Sequence, residues 1–574
     1  MSTLRPRLSP PADPRAGAPR PALGWRGAAA ALSLGLAALL SLGAAPPPAL
    51  GRRGMVAADH LLASEAGASI IATGGNAVDG IVAAALAAGV VQPSASGLGG
   101  GGFAVLMAPD GQVAALDFRE VAPAAAHRDL FVQSADPKAS VRGGLAVAVP
   151  MEGPGLALLH ARHGRLPLRR VVAPAYRLAH EGFEPGAHLL KSLASYEEGG
   201  LTDAIFGPGV KPSAGERARR AKLATALERF GRGGAAAMQI GEIAEDIVRS
   251  AKATGGVLTA ADLAAAAPKD RAPLLGSYRG WRVVTMPPPS SGGVVILQAL
   301  AVLEGLPVAE YGHNSAEYLH LIVEVLKHGF ADRAQHMGDP DRAPVDTAML
   351  LSADRVSAIR RAILPSRTLP TGAYGAAVDP GRDAGTQHIS ALDADGWGVA
   401  LTTTVNTSFG SGVVTERFGI VLNNEMDDFV ARPGVPNAFG LVGSARNEVA
   451  AGARPLSSMS PTLLIGPQGQ RIAVGCSGGP FIISSTLQAI LNVVDFGMSP
   501  SQAVSEARVH HQWQPELLFV DEGLSPDTIA LLAARGHTIK QMPFFSAVQL
   551  ISADAAGISG GSDPRKGGWP AGVW

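Results

Sequence analysis

Residues 385–390 read Gly-Thr-Gln-His-Ile-Ser, and the run continues as ALDADGWGVALTTTVNTSFGSG. A threonine hydroxyl is a poor nucleophile until a base takes its proton. A threonine that begins a chain carries such a base, its own α-amine, with an unperturbed pKa of about 7.7–8.0. Thr386 gains that amine only if the bond after Gly385 breaks, and glycine crowds the attacked carbonyl least. The plain alternative is a buried strand start. The residues that follow favour the chemistry. Asp393 to Gly396 suits a hairpin with a three-residue loop, Ala394-Asp395-Gly396, whose glycine takes the left-handed position. Folding about Asp395 sets Thr386 opposite Thr404, with Asn406 two residues on and on the same side. A two-residue loop would give another register.

Other motifs carry less. GLGGGG at 97–102 satisfies G-x-G-x-x-G, but a dinucleotide site needs strand, glycines, then helix. Here a helix precedes and a strand follows, so the glycines read as a tight or closely approached turn. GCSGGP at 475–480 resembles the nucleophile loop of trypsin-like serine proteases, yet no matching histidine motif accompanies it. Its two glycines still offer unobstructed N–H groups for an oxyanion hole. The fourteen histidines form no H-x-x-x-H or H-E-x-x-H pattern. VHHQW at 509–513 reads as structural, since neighbours on a strand point to opposite faces. Cys476 is the single cysteine, which excludes a disulfide framework or a cysteine metal cluster and reads as a small buried residue.

The elements that position these residues are partly legible. A chain of 574 residues can bury one large core or two to four domains. Lys plus Arg and Asp plus Glu balance at 48 each, so no global field points to nucleic acid or an anionic membrane. With 71 glycines and 43 prolines, turns are frequent. Arg5, Arg7, Arg15, Arg20 and Arg26 precede an apolar run from Ala28 to Ala45, the charged, apolar, small order of an export signal. A retained anchor is the alternative, since about 18 apolar residues barely span a bilayer. The mature protein is expected to start near residue 46–54, with no stable membrane span, and to work in the periplasm or outside the cell. From Val56 to Val91 the spacing predicts two helices, the second capped by Asn76. Asp110-Gly111 marks a hairpin. Residues 160–340 read mostly as helix, with Asn314 and Glu317 at capping-box spacing. After 386 the pattern turns strand-rich, with helices near 484–508 and 525–535. The sum is a helical half and a β-rich half in one α/β body, with a possible surface linker just before Gly385.

The chain resembles the gamma-glutamyltranspeptidase family of N-terminal-nucleophile hydrolases over nearly all of residues 54–574. The blocks GGNAVDGIVAAALAAGVVQP, GLGGGGFAV, LDFRE, PPPSSGGV, FADRAQHMGDPD, NTSFGSG, LNNEMDDF, PGVPNAFGLVG, RPLSSMSPT, GCSGGP and SDPR stand in the family's order. The resemblance implies a four-layer αββα sandwich of α/β (α+β) class. It also implies a precursor with an export leader at 1–50, a large subunit at 51–385 and a small catalytic subunit at 386–574, the last two forming one body. Thr386 would cut the Gly385–Thr386 bond and then serve as the nucleophile, with Thr404 hydrogen-bonded to it or to its amine. Arg119, Ser457 and Ser458 would hold a substrate α-carboxylate, and Asn406, Glu425 and Asp428 its α-amino group. Gly478 and Gly479 would supply the oxyanion hole, and Pro433–Ser444 resembles a lid loop.

The implied activity is that of a self-processing γ-glutamyltransferase or glutathione hydrolase. It would pass the γ-glutamyl group of glutathione or a related donor to water, an amino acid or a short peptide. Neither a metal nor an organic cofactor, nor nucleic acid, is called for. A glutaryl or cephalosporin acylase, or an unprocessed binding homologue, are the alternatives; the first has less use for Glu425 and Asp428. Three positions depart from the family pattern. Gln387 replaces a smaller residue after the nucleophile, Phe439 stands where several members have tyrosine, and Pro480-Phe481 replaces a polar or basic residue. These bear on processing rate, lid closure and acceptor preference.

Overall fold

A computed structural model describes residues 47–196, 199–375, 385–432, 437–441, 444–544 and 546–574. Its strands, in chain order, start with β1 (Ala49–Gly51), β2 (Gly54–Ala58), β3 (Gly101–Met107), β4 (Val113–Phe118) and β5 (Lys269–Arg271). Next come β6 (Leu274–Tyr278), β7 (Trp281–Thr285), β8 (Gly385–Asp393), β9 (Gly398–Asn406), β10 (Thr462–Ile465) and β11 (Arg471–Ser477). The last are β12 (Val509–His510), β13 (Leu518–Val520), β14 (Ile539–Gln541), β15 (Ala547–Asp554), β16 (Gly557–Ser562) and β17 (Ala571–Val573). One antiparallel sheet has the order β1-β16-β15-β11-β10-β7-β6, and the other β17-β2-β8-β9-β3-β4-β5. Strands β12–β14 form a small third sheet. Each large sheet therefore interleaves strands from before and after Gly385.

The two large sheets face each other through β11 and β15 against β8 and β9. Helices Leu61–Ala72 and Ala77–Val91 cover the sheet that holds β8, with Leu168–Glu181 packed on Ala77–Val91 and Ala221–Gly233 on Leu168–Glu181. Helices Gly292–Leu303 and Phe481–Val494 cover the other, with Ala316–His336 packed on Gly292–Leu303. This is the expected four-layer αββα sandwich. Helix Ala77–Val91 starts where its sequence says: Asn76 and Asp79 make a reciprocal capping box. Every one of its residues is buried, as befits an apolar rod held between a sheet and other helices.

The β8–β9 hairpin has the expected register, with Thr386 opposite Thr404 and Leu392 opposite Gly398. Gly396 takes φ 110°, which closes the loop. Alternation then sorts the buried side chains of β8. Ile389 and Ala391 join the core under the helices, whereas Leu392 joins the core on the other side of the sheet. Thr386 and His388 share the side of Leu392, facing the second sheet. Gly475 of β11 accommodates the His388 ring, since a Cβ there would lie 2.3 Å from it.

Several expectations change. The cap of helix Ala316–His336 is Ser315, whose side chain accepts the Tyr318 N–H. Asn314 instead takes φ 55° and donates its side-chain amide to the Ala507 carbonyl. The stretch read as mostly helix contains β5, β6 and β7, whose three to five residues are too short for a clear period. Strand β1 pairs Ala49 with Gly560, so the folded body already includes residues assigned to the leader. The apolar run 28–45 lies outside the described residues, and no described helix is long and apolar enough to cross a membrane.

The glycine run 99–102 owes its composition to close backbone approach. A Cβ at Gly100 would lie 1.9 Å from the Thr404 carbonyl oxygen, and one at Gly102 would lie 2.2 Å from that of Thr402. Gly100→Ala would therefore push β3 off β9 beside the candidate nucleophile. Thermal unfolding should show a loss of about 1–3 kcal/mol or more, with slower cleavage at Gly385–Thr386 on a denaturing gel; an unchanged Tm would contradict the packing argument.

Candidate active site

A bulge sits opposite the Gly385–Thr386 bond. Gly385 pairs with Asn406 while Thr386 pairs with Thr404, so Val405 is the extra residue. Asn406 takes φ 79°, and the local ladder is broken where a side chain must be re-aimed. The Thr404 hydroxyl donates to the Gly385 carbonyl at 2.6 Å, accepts the Asn406 amide at 2.8 Å and lies 3.2 Å from the Thr386 hydroxyl. Thr386 and Thr404 are both buried. The expected pair of hydroxyls is thus assembled on the bond that would be cut.

A pocket opens beside Thr386. Among its lining residues are Thr404, Asn406, Arg119, Glu425, Asp428 and Ser458. Arg119 follows the last residue of β4, and Glu425 and Asp428 bound the 3-10 turn Glu425–Asp428. The Arg119 guanidinium lies 2.8 Å from Glu425 and 2.5 Å from Asp428, 3.6 Å from Glu120, and donates through Nε to the Pro455 carbonyl at 3.2 Å. Burial alone would discourage its charge, yet the three carboxylates outweigh that and raise its pKa. Burial raises the pKa of all three carboxyls, to about 8 for Glu120, with Arg119 pulling the other way. Three carboxyl groups crowd one guanidinium and resist ionising together, so an ammonium group entering the pocket would favour their charged forms.

The remaining expected residues, Gly478 excepted, line the same pocket. Ser457 and Ser458 line it; the Ser457 hydroxyl accepts the Met459 amide at 3.1 Å, while the buried Ser458 hydroxyl has no partner among the described residues. Asn406 is held by its side-chain amide on the Asn424 carbonyl, 3.0 Å away. The ladder of β11 ends at the Ser477–Ala547 pair, so Gly478 and Gly479 lie past it, at φ 128° and 56°, ahead of helix Phe481–Val494. Gly479 lines the pocket; Gly478 does not, and a Cβ on it would lie 2.8 Å from Ser546. Asn437 donates to Asp428 at 3.0 Å, and Phe439 completes one wall. Lid residues 433–436 and 442–443 lie outside the described residues. Phe481 stacks on His510 with ring centroids 3.9 Å apart, which explains an aromatic residue after Pro480.

Sequence reading missed Lys566, Asp59 and Arg333. Lys566 is buried and donates to the Thr386 carbonyl at 3.1 Å and to the Ser477 hydroxyl at 2.8 Å. Asp59 accepts from Ser477 at 2.6 Å and lies 3.5 Å from Lys566. The serine of GCSGGP is therefore a spacer in an ionic network beneath Thr386. Only the position of Lys566 just after the SDPR block could have flagged it. The histidines also form one cluster that spacing hid: His320, Glu324 and His537 lie close together. Glu324 is already bound by Tyr374 and by Thr368, with Lys327 3.8 Å away. His510 bonds Ser484 and Gln512, a structural role. Cys476 is fully buried, and burial pushes its thiol up to about 12.

A four-layer sandwich with a threonine at a strand start defines the class of N-terminal-nucleophile hydrolases. The gamma-glutamyltranspeptidase family model matches residues 63–573, and the chain belongs to that family. It is 39% identical over 529 residues to the glutathione hydrolase proenzyme of Escherichia coli, covering 90% of each chain. To the glutathione hydrolase proenzyme of Pseudomonas sp. it is 38% identical, covering 89% of this chain and 93% of the relative. Among solved structures, cephalosporin acylase from Bacillus halodurans matches with TM-score 0.81 at 26% identity, over 93% of this chain and 98% of that one. Helicobacter pylori gamma-glutamyltranspeptidase matches at 33% identity and TM-score 0.52, over 54% of this chain and 92% of that one.

Behind the hairpin, Glu152 accepts from the Thr403 hydroxyl and from the Gly97 amide. Burial lifts its carboxyl to about 7, against both hydrogen bonds. A carboxyl whose folded pKa exceeds its unfolded value holds an extra proton in the native state. Its contribution to stability therefore falls as pH rises from the unfolded pKa near 4.5 to about 7. Glu152→Gln keeps both hydrogen bonds and removes the titration. Melting curves between pH 5 and 8 should show a flatter decline for the variant; an identical slope would contradict this burial argument.

Proposed function

We propose that this protein is a self-cleaving γ-glutamyltransferase and glutathione hydrolase. The observation that carries the reading is the chain of contacts from Thr386 to Thr404 to the Gly385 carbonyl, set beside a pocket with complementary groups for an amino-acid head. The Thr404 hydroxyl polarises the Gly385 carbonyl, and the Thr386 oxygen attacks it. The C–N bond breaks, the acyl group moves to oxygen, and the hydroxyl proton passes to the departing nitrogen, which becomes the Thr386 α-amine. Water then hydrolyses the ester, leaving a Gly385 carboxylate and a free α-amine on Thr386. Residues 51–385 and 386–574 become large and small subunits of one interleaved body.

In the mature enzyme the Thr386 amine takes the hydroxyl proton as the oxygen attacks the γ-amide carbonyl of glutathione. The Gly478 and Gly479 amides receive the developing oxyanion, and the leaving amine departs protonated. Water, an amino acid or a short peptide then resolves the γ-glutamyl ester. Glu425, Asp428 and Asn406 bind the substrate ammonium; Arg119, Ser457 and Ser458 face its α-carboxylate. The arginines and apolar run of the leader support export to the periplasm or beyond.

Thr386→Ala should abolish both self-cleavage and turnover; cleavage that survives would assign processing to an external protease. A γ-glutamyl anilide should be hydrolysed with kcat/KM about tenfold to a hundredfold above that of the glutaryl anilide, which lacks the ammonium. Equal rates, or a preference for the glutaryl compound, would turn the reading towards an acylase.

A further inference from the structure

Arg333 is a buried cation that the mechanism above leaves unused. It sits in the last turn of helix Ala316–His336 and lines the same pocket as Thr386, Arg119 and Ser458. Its Nε donates to the Ser291 hydroxyl at 3.1 Å, and that hydroxyl donates to the Ser457 carbonyl at 2.8 Å. The guanidinium is thereby tied to the loop that carries Ser457 and Ser458. Among the described residues no carboxylate lies within ion-pairing distance of it, and its two Nη groups have no hydrogen-bond partner.

Uncompensated burial is costly for a guanidinium, and it lowers the Arg333 pKa to about 10, with Arg119 acting the same way and Asp428 opposing. The neighbouring Ser458 hydroxyl is also buried and unpartnered. Two sets of free donors thus face one pocket, and they call for an anion. Arg119 is differently placed: Nε is spent on Pro455, and each Nη is engaged by a carboxylate.

We propose that Arg333 is a second guanidinium for the substrate α-carboxylate, which is seated between Arg333, Arg119 and the Ser458 hydroxyl. Arg119 then divides its charge between the acids that take the ammonium and the carboxylate beside it. Arg333 gives its free N–H groups to the carboxylate alone. The carboxylate also restores to Arg333 the counter-charge that burial denies it. The assignment rests on the γ-glutamyl reading of the pocket.

The test compares Arg333→Gln and Arg333→Lys with the wild-type processed enzyme, using a γ-glutamyl anilide as substrate. L-Glutamate and 4-aminobutyrate, which lacks the α-carboxylate, serve as competitive inhibitors. Arg333→Gln should raise KM about tenfold to a hundredfold with kcat changed far less. It should weaken inhibition by L-glutamate by a similar factor and leave 4-aminobutyrate inhibition nearly unchanged. Arg333→Lys, which keeps charge but loses the planar fork, should fall between. Equal weakening of both inhibitors, an unchanged KM, or failure of both variants to cleave their own chain would assign Arg333 to the scaffold and overturn the proposal. Failure of the wild-type enzyme to hydrolyse the γ-glutamyl anilide would instead count against the γ-glutamyl reading itself.

Discussion

The hydrogen bond from Thr404 to the Gly385 carbonyl, 2.6 Å long, is the interaction around which the site is arranged. It needs a carbonyl turned out of its ladder, and the Val405 bulge turns it. It also needs β9 held rigidly from behind, which the glycines of β3 allow by letting the two backbones touch. From below, Lys566 holds the Thr386 carbonyl. The candidate nucleophile is thus held at the carbonyls of Gly385 and Thr386, on a strand pair rather than on a loop.

Charge follows from that placement. The end of β4 delivers Arg119 to a pocket lined by Glu425 and Asp428, with Glu120 3.6 Å from the guanidinium, and all four are sealed from most solvent. A buried ion cluster adds little stability by itself, since desolvation offsets the attraction. Its value lies in selectivity. On the proposed reading, a zwitterionic head group would satisfy both the acids and the free donors of Arg333 and Ser458, whereas a glutaryl chain would leave the acids without a cation.

Legibility in the sequence divided along sequence distance. The β8–β9 register could be read because a short turn fixes it locally, and Asn76 could be read as a cap because its partner is three residues away. Ser315 and Asn314 are both good caps, and only backbone dihedrals separate them. Strands β5–β7 were hidden by their shortness. Arg119, Glu425 and Asp428 could be found only through family resemblance, since nothing local marks a strand-end arginine as functional. Lys566 and Asp59 escape for the same reason, and Arg333 does so inside the FADRAQHMGDPD block, where nothing local assigns it a role. Lys566 reaches its partners across 180 residues to Thr386 and 89 to Ser477. Only the folded sandwich makes these residues neighbours.

All of this geometry converges on one covalent event, so the most direct measurement is the covalent state of the purified protein. Intact-mass analysis with N-terminal sequencing should find two fragments, the smaller beginning Thr-Gln-His at residue 386. A single chain with the Gly385–Thr386 bond intact after prolonged incubation, or a fragment beginning at any other residue, would contradict the account.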